Sequence, residues 1–91
     1  METEASAKRL LIVDDEANMR HMLMALLRSS GYDIDTASDG QEALERIAQT
    51  AYDYILCDIK MPRMDGMAFL EAGAPQLESA SVIMMSAYGT I

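Results

Sequence analysis

The sequence predicts an α/β protein built around a parallel β-sheet. Two unbroken apolar runs, residues 10–13 and 54–57, are typical of strands that are buried on both faces. Segments with helical periodicity separate these runs from two further strand-like runs, which gives the order βαβαβαβ. Because parallel strands are joined by right-handed crossovers, this order predicts helices on both faces of the sheet.

Length and charge limit the classes of function open to the chain. Its 91 residues suffice for one domain, which we place at residues 9–91 behind a polar leader at residues 1–8. The formal charge is −8 and the seven Lys and Arg residues are scattered, which argues against a nucleic-acid or membrane surface. No apolar stretch approaches the ~18 residues of a transmembrane span, and the leader is too short and polar for a signal peptide. We therefore expect a cytoplasmic domain.

The first strand and the first helix follow from the pattern of residues 9–31. The strand spans about residues 9–13 and the helix spans residues 17–30, where Gly31 is placed to end it. Apolar residues recur in the helix at a spacing that predicts a stripe packed on the sheet. The stripe consists of Met19, Met22, Leu23, Leu26 and Leu27.

An edge strand and a second helix come next. Residues 33–37 alternate between polar and apolar side chains, which is typical of a partly solvated edge strand. The helix spans about residues 41–50, and Ser38, Asp39 or Gly40 can cap it. Its inner face is predicted to consist of Ala43, Leu44, Ile47 and Ala48.

The remaining residues predict two strands, a loop and a short helix. The strands span about residues 53–58 and 81–86, and the helix spans residues 67–72. In the loop at residues 59–66, Pro62 disfavours helix for the residue before it, and Asp65-Gly66 predicts a turn. If the first strand lies between the second and the third, the strand order is 2-1-3-4. Binding is then expected between strands 1 and 3, where the order reverses.

Three aspartates end the two apolar strands that flank this point. Asp14 and Asp15 follow the first strand, and Asp58 ends the third. An aspartate pair after a strand is more often a helix cap in a solvated turn, but the addition of Asp58 favours a shared site. Carboxylates held this close either share a proton or bind a small, hard cation, which leaves an oxygen nucleophile for phosphoryl chemistry. Cys57, within the apolar run, is expected to be a buried and inert thiol.

Three motifs resemble the receiver domain of two-component response regulators, the CheY-like phosphoacceptor module. They are LLIVDDE at residues 10–16, YILCDIKMPRMDG at 54–66 and VIMMSAYGTI at 82–91. The resemblance implies a CheY-like (flavodoxin-like) fold. The last motif most resembles receivers of transcriptional activators that work with the alternative sigma factor, sigma-54.

The resemblance also implies a role for particular residues. Asp58 matches the aspartate that accepts a phosphoryl group from a partner sensor histidine kinase. Asp15 matches a direct ligand of Mg²⁺, as does Asp58 itself, and the backbone carbonyl of Lys60 matches the third protein ligand. Asp14 matches a ligand that reaches the ion through water. Ser86 matches the hydroxyl that senses the phosphoryl group. The domain would then be a switch that catalyses its own phosphotransfer and dephosphorylation, and not a turnover enzyme.

The sequence departs from the family's pattern at its end, because the family's fifth βα unit and the lysine on its strand have no counterpart. We therefore expect the fourth strand to be an unpaired edge that invites a homodimer or a domain swap. The alternative function is a receiver-like interaction module that is never phosphorylated. A phosphate-ester hydrolase is disfavoured, since it would need a second carboxylate at the position of Lys60.

Overall fold

The computed structural model describes residues 7–61 and 64–85. These residues form four strands and three helices in alternation. In chain order they are β1 (Arg9–Val13), α1 (Ala17–Arg28), β2 (Asp33–Ala37), α2 (Gly40–Gln49), β3 (Tyr54–Asp58), α3 (Gly66–Ala72) and β4 (Ser81–Met85).

The four strands form one parallel sheet with the order β2-β1-β3-β4, as predicted. Val13 pairs with Ala37 of β2 on one side and with Cys57 of β3 on the other. The carboxyl ends of the three strands are therefore level. The order reverses between β1 and β3, so the loops that follow these two strands flank the crevice expected to bind ligands.

The main core lies between the sheet and the helices α2 and α3. Leu11 and Val13 of β1 and Ile55 of β3 supply its sheet side, and none of the three is exposed to solvent. Phe69 of α3 is the largest of its fully buried side chains. The whole cluster consists of Leu11, Val13, Ala37, Ala43, Ile47, Tyr52, Ile55, Cys57, Met61, Phe69 and Leu77.

Helix α1 contacts β1 and β2 outside this cluster. Leu10 and Ile12, which alternate with the core residues of β1, are also buried. The predicted stripe of α1 is only partly used. Met22 is 51% exposed and Leu26 is 61% exposed, so the expectation that both pack on the sheet is wrong. The helix meets the sheet along a narrow ridge of half-buried residues four apart, namely Met19, Leu23 and Leu27.

The ends of several elements differ from the prediction by one or two residues. Helix α1 ends at Arg28 and not at residue 30. The N–H of Ser30 donates to the carbonyl of Leu27 and the N–H of Gly31 donates to the carbonyl of Arg28, which form a turn in place of further helix. Gly31 has φ +89°, a conformation that glycine adopts without strain. Strand β3 begins at Tyr54, one residue later than predicted.

Side-chain caps fix the starts of α2 and α3. Asp39 accepts a 2.8 Å hydrogen bond from the backbone N–H of Glu42, so α2 begins at Gly40. Asp65 accepts a 2.8 Å hydrogen bond from the N–H of Ala68, so the predicted Asp65-Gly66 turn is the first turn of α3. On α2 the predicted inner face is correct for Ala43, Leu44 and Ile47, whereas Ala48 is exposed.

Candidate metal centre

Three carboxylates meet at the carboxyl edge of the sheet. Asp14 and Asp15 follow β1, and Asp58 is the last residue of the neighbouring strand β3. One oxygen from each lies within 4.8 Å of the others. Asp14 and Asp58 are buried, at 5% and 8% exposure, whereas Asp15 is exposed. The sequence predicted this convergence from the parallel strands alone.

Burial and charge act together on Asp14. Its pKa is raised above the ordinary value of 3.8, chiefly because burial disfavours the charged form. The charges of Asp58 and Asp15 raise it further. The hydrogen bond from the N–H of Glu16 and the charge of Arg20 act in the opposite direction. Without a cation, the site therefore holds negative charge at a cost in free energy.

Hydrogen bonds hold the β1–α1 loop in place around Asp14. Its N–H donates to the carbonyl of Ala37 on β2 at 3.1 Å, and its Oδ1 accepts from the N–H of Glu16 at 2.9 Å. Arg20, one turn into α1, donates from its guanidinium to the carbonyl of Asp14 at 2.7 Å. Sequence reasoning missed Arg20, because a bond to a backbone carbonyl leaves no pattern in the side chains.

The loop after Asp58 is tied to the strand end. The N–H of Lys60 donates to Oδ1 of Asp58 at 3.2 Å, which orients the carboxylate. The N–H of Ile59 donates to the carbonyl of Met85 at 2.9 Å, and the carbonyl of Ile59 accepts from the N–H of Gly66 at 2.8 Å. The side chain of Lys60 is exposed, as expected.

Cys57 lies beside the carboxylates and is not suited to take part. Burial, followed by the charges of Asp58 and Asp14, raises the pKa of its thiol to about 12. The thiol is fully buried, and its Sγ lies 3.5 Å from the carbonyl of Asp58. A neutral thiol is a poor metal ligand and nucleophile. The expectation of a buried, inert cysteine agrees with this placement.

The donor set fits a small divalent cation. Three carboxylate oxygens from Asp14, Asp15 and Asp58 are hard ligands, and the exposure of Asp15 leaves room for water in the remaining positions. Mg²⁺ binds in this way, through few carboxylates and several waters. Ser86 and Pro62 lie outside the described residues, so the predicted role of Ser86 stays a prediction. The role of the Lys60 carbonyl likewise stays a prediction.

Among residues 7–61 and 64–85, no helix combines the length and the apolar character that crossing a membrane requires.

Residues 10–91 match the sequence model of the response regulator receiver domain. The chain is 37% identical over 82 residues to the transcriptional regulatory protein ZraR of Escherichia coli K12, covering 90% of this chain and 19% of the relative. It is 36% identical over 91 residues to the transcriptional regulatory protein PrrA of Mycobacterium leprae, covering 100% of this chain and 39% of that protein. The chain thus spans well under half the length of both relatives.

Solved structures show the same fold. The response regulator TrrA of Thermotoga maritima, crystallised in complex with Mg²⁺-BeF, superposes with a TM-score of 0.83 at 39% identity. The match covers 90% of this chain and 71% of TrrA.

Proposed function

The chain belongs to the response regulator receiver domain family, and from this we propose that Asp58 accepts a phosphoryl group from a sensor histidine kinase in a Mg²⁺-dependent reaction. The observation that carries the proposal is the meeting of three carboxylate oxygens within 4.8 Å at the crevice between β1 and β3. Asp58 is the last residue of β3 and lies at the carboxyl edge of the sheet.

The transfer balances as a simple displacement. An oxygen of Asp58 forms a bond to phosphorus, and the bond from phosphorus to the imidazole nitrogen of a phosphohistidine breaks. The imidazole takes a proton from water and leaves as the neutral base. Mg²⁺, when bound, would offset the charge of the phosphoryl oxygens. The aspartyl phosphate is later hydrolysed: water attacks phosphorus, the bond to Asp58 breaks and inorganic phosphate leaves. The domain is therefore a phosphoacceptor that returns to its starting state, and not a turnover enzyme.

Each carboxylate has its own part in this proposal. Asp15, which is exposed, would bind the ion directly, and the backbone carbonyl of Lys60 would be a further protein ligand. Asp14, which is held by Glu16 and Arg20, would orient water on the ion. The N–H of Lys60 fixes the Asp58 carboxylate for attack. Ser86 supplies the hydroxyl that bonds the phosphoryl group after transfer, and that bond biases a two-state surface.

The output of the switch lies beyond this domain. ZraR and PrrA are transcriptional regulatory proteins, which favours an output in transcription. With a formal charge of −8, the domain itself is unsuited to contact DNA phosphates. The output therefore requires another domain or another protein.

A second property, self-association, is favoured by the apolar character of β4. Among the described residues β4 pairs only with β3, and its Ile83 is 51% exposed. The opposite edge strand, β2, carries Asp33 and Asp35, whereas β4 has no charged residue. We propose that two copies pair through β4 in antiparallel fashion, which places their acidic sites at opposite ends of the joined sheet.

Intact-mass spectrometry after incubation with acetyl phosphate tests the proposed phosphorylation. The wild-type chain with Mg²⁺ should gain one phosphoryl group, and the chain in EDTA should gain none. Asp58→Asn should gain none under either condition. Asp33→Asn is the matched control, since its carboxylate is exposed on β2 away from the site, and it should gain one group as the wild type does. Phosphorylation of Asp58→Asn would contradict the proposal, whereas a wild-type chain that gains no phosphoryl group would leave the interaction module as the better account.

Light scattering after size exclusion tests the pairing through β4. A dimer in the wild type that Ile83→Lys converts to a monomer would support it, whereas a monomer at high micromolar concentration would refute it.

A further inference from the structure

Met64, in the loop after Asp58, lies against Gly40 at the amino-terminal end of α2. A β-carbon on Gly40 would lie 2.8 Å from Sδ of Met64, 2.9 Å from its Cγ and 3.0 Å from its Cβ. Gly40 is buried and Met64 is half-buried. Real β-carbons do not approach other atoms so closely, so the absence of a side chain at residue 40 lets Met64 lie where it does.

Met64 is one of two methionines that anchor this loop. Met61 is 8% exposed and belongs to the main core, and Met64 packs against that core from its edge. Lys60 lies two residues after Asp58 and directly before Met61 in the sequence. Its N–H is already bound to Asp58. Its carbonyl belongs to the peptide bond to Met61, so the burial of Met61 limits the directions that this carbonyl can take.

The far end of the loop is held by a second close approach. A β-carbon on Gly66 would lie 2.7 Å from the carbonyl oxygen of Asp58 and 3.1 Å from Cα of Ile59, and it would collide with Cε of Met84. The N–H of Gly66 donates to the carbonyl of Ile59 at 2.8 Å. The first residue of α3, Gly66, thus lies in close contact with the backbone of Asp58 and Ile59.

We propose that Gly40 is a positioning residue for the metal site, acting through Met64 and Met61 to fix the carbonyl of Lys60. This proposal rests on the proposed function, because it assigns Lys60 to Mg²⁺. A methyl group at residue 40 pushes Met64 outward and turns the loop. The site then keeps its three carboxylates but loses the alignment of its backbone ligand.

Gly73 provides a matched control. A β-carbon there would lie 2.6 Å from Cδ1 of Ile47 and 3.3 Å from Cδ2 of Leu44, so Gly73→Ala also forces a methyl group against α2 side chains. Its neighbours are core residues away from the loop. A purely structural role for Gly40 predicts that Gly40→Ala and Gly73→Ala behave alike, whereas a positioning role predicts that they differ at the metal site.

Calorimetric titration with Mg²⁺ and amide NMR spectra in EDTA separate the two roles. Gly40→Ala should weaken Mg²⁺ binding about tenfold, the size of effect seen when a group supporting a metal ligand is lost. It should also shift the Lys60 amide resonance without any metal. Gly73→Ala should change neither, although both variants melt at lower temperature. The double variant G40A/M64A should bind Mg²⁺ as Met64→Ala does, because the shorter side chain leaves room for the methyl group.

Three results would overturn the proposal. They are an unshifted Lys60 amide in Gly40→Ala, an equal loss of affinity in Gly73→Ala, and weaker Mg²⁺ binding by the double variant than by Met64→Ala. If Gly40→Ala does not fold, Met64→Ala alone must shift the Lys60 amide, with Met67→Ala, whose side chain is 57% exposed, as the silent control. A wild-type chain that binds no Mg²⁺ would count against the proposed function, and the metal-free Lys60 resonance would still decide the role of Gly40.

Discussion

Asp14 and Asp58, on neighbouring strands, bring their carboxylates into one cluster although both side chains are more than nine-tenths buried. Two buried like charges are unfavourable unless a proton or a cation offsets them. The repulsion between these carboxylates therefore lowers the stability of the metal-free protein and raises the affinity of the site for a cation.

The first prediction concerns Asp14→Asn. The amide keeps the shape of the side chain and removes one buried charge, so the variant should melt at a higher temperature than the wild type in EDTA at neutral pH. Each kcal/mol gained should raise the midpoint by about 4–8 °C in a domain of this size. The stabilisation by added Mg²⁺ should be smaller than in the wild type, because the repulsion it relieves is already reduced. A lower midpoint in EDTA would contradict the electrostatic account.

The second prediction concerns the pH dependence that Asp14 creates. Its pKa is raised in the folded state, so the folded state binds more protons than the unfolded state above pH 3.8. Stability should therefore fall as pH rises from 3.8 through the raised pKa. Glu42 acts in the opposite direction, because hydrogen bonds from Ser38 lower its pKa and its contribution is lost below its ordinary value of 4.5. The difference between the wild type and Asp14→Asn isolates the first effect, and parallel pH profiles in urea denaturation would refute it.

The third prediction concerns Tyr52, which ties the segment before β3 to the edge strand. Its hydroxyl donates a 2.6 Å hydrogen bond to Asp35, and the ring is 5% exposed. Tyr52→Phe leaves a half-buried carboxylate without this donor and should cost about 1–3 kcal/mol in unfolding free energy. Tyr32→Phe is the control, since the edge-on contact of its ring with Tyr54 at 5.9 Å survives the change. Equal stability of the two variants would show that the hydrogen bond contributes little.

We also expect Tyr52 to make the protein less stable at alkaline pH. Burial, followed by the hydrogen bond to Asp35, raises the pKa of Tyr52 to about 12 from 10.0. The folded state therefore resists losing this proton, and stability should fall as pH rises from 10 toward 12. Tyr52→Phe should show a shallower fall over this range. Denaturant titrations at several alkaline pH values check the slope.

The fourth prediction compares two neighbours on α3. Phe69 is fully buried, and Phe69→Ala should lower the unfolding free energy by about 3–5 kcal/mol. This loss is a large part of the total unfolding free energy of a small domain. Met67 is 57% exposed, and Met67→Ala should change the unfolding free energy by no more than about 0.5 kcal/mol. Similar losses in the two variants would place the core somewhere other than between α3 and the sheet.

Much of the fold could be predicted because local patterns and tertiary structure agree. The bounds of β1 follow from an apolar run and those of β2 from an alternating pattern. The meeting of Asp14 with Asp58 follows from the order in which the parallel strands lie. The exposure of Met22 could not be predicted. Periodicity shows that a helix has an apolar face, but it does not show how much of that face the sheet covers. The contact of Met64 with Gly40 joins residues far apart in the sequence and depends on packing alone.

The position of the phosphoryl group decides whether Asp58 is the phosphoacceptor. The wild-type chain would be phosphorylated with acetyl phosphate and Mg²⁺, reduced with borohydride to convert an acyl phosphate into homoserine, and mapped by peptide mass spectrometry. We expect homoserine at residue 58 and at no other aspartate. Homoserine at residue 14 or 15, or at none of the three, would show that Asp58 is not the acceptor.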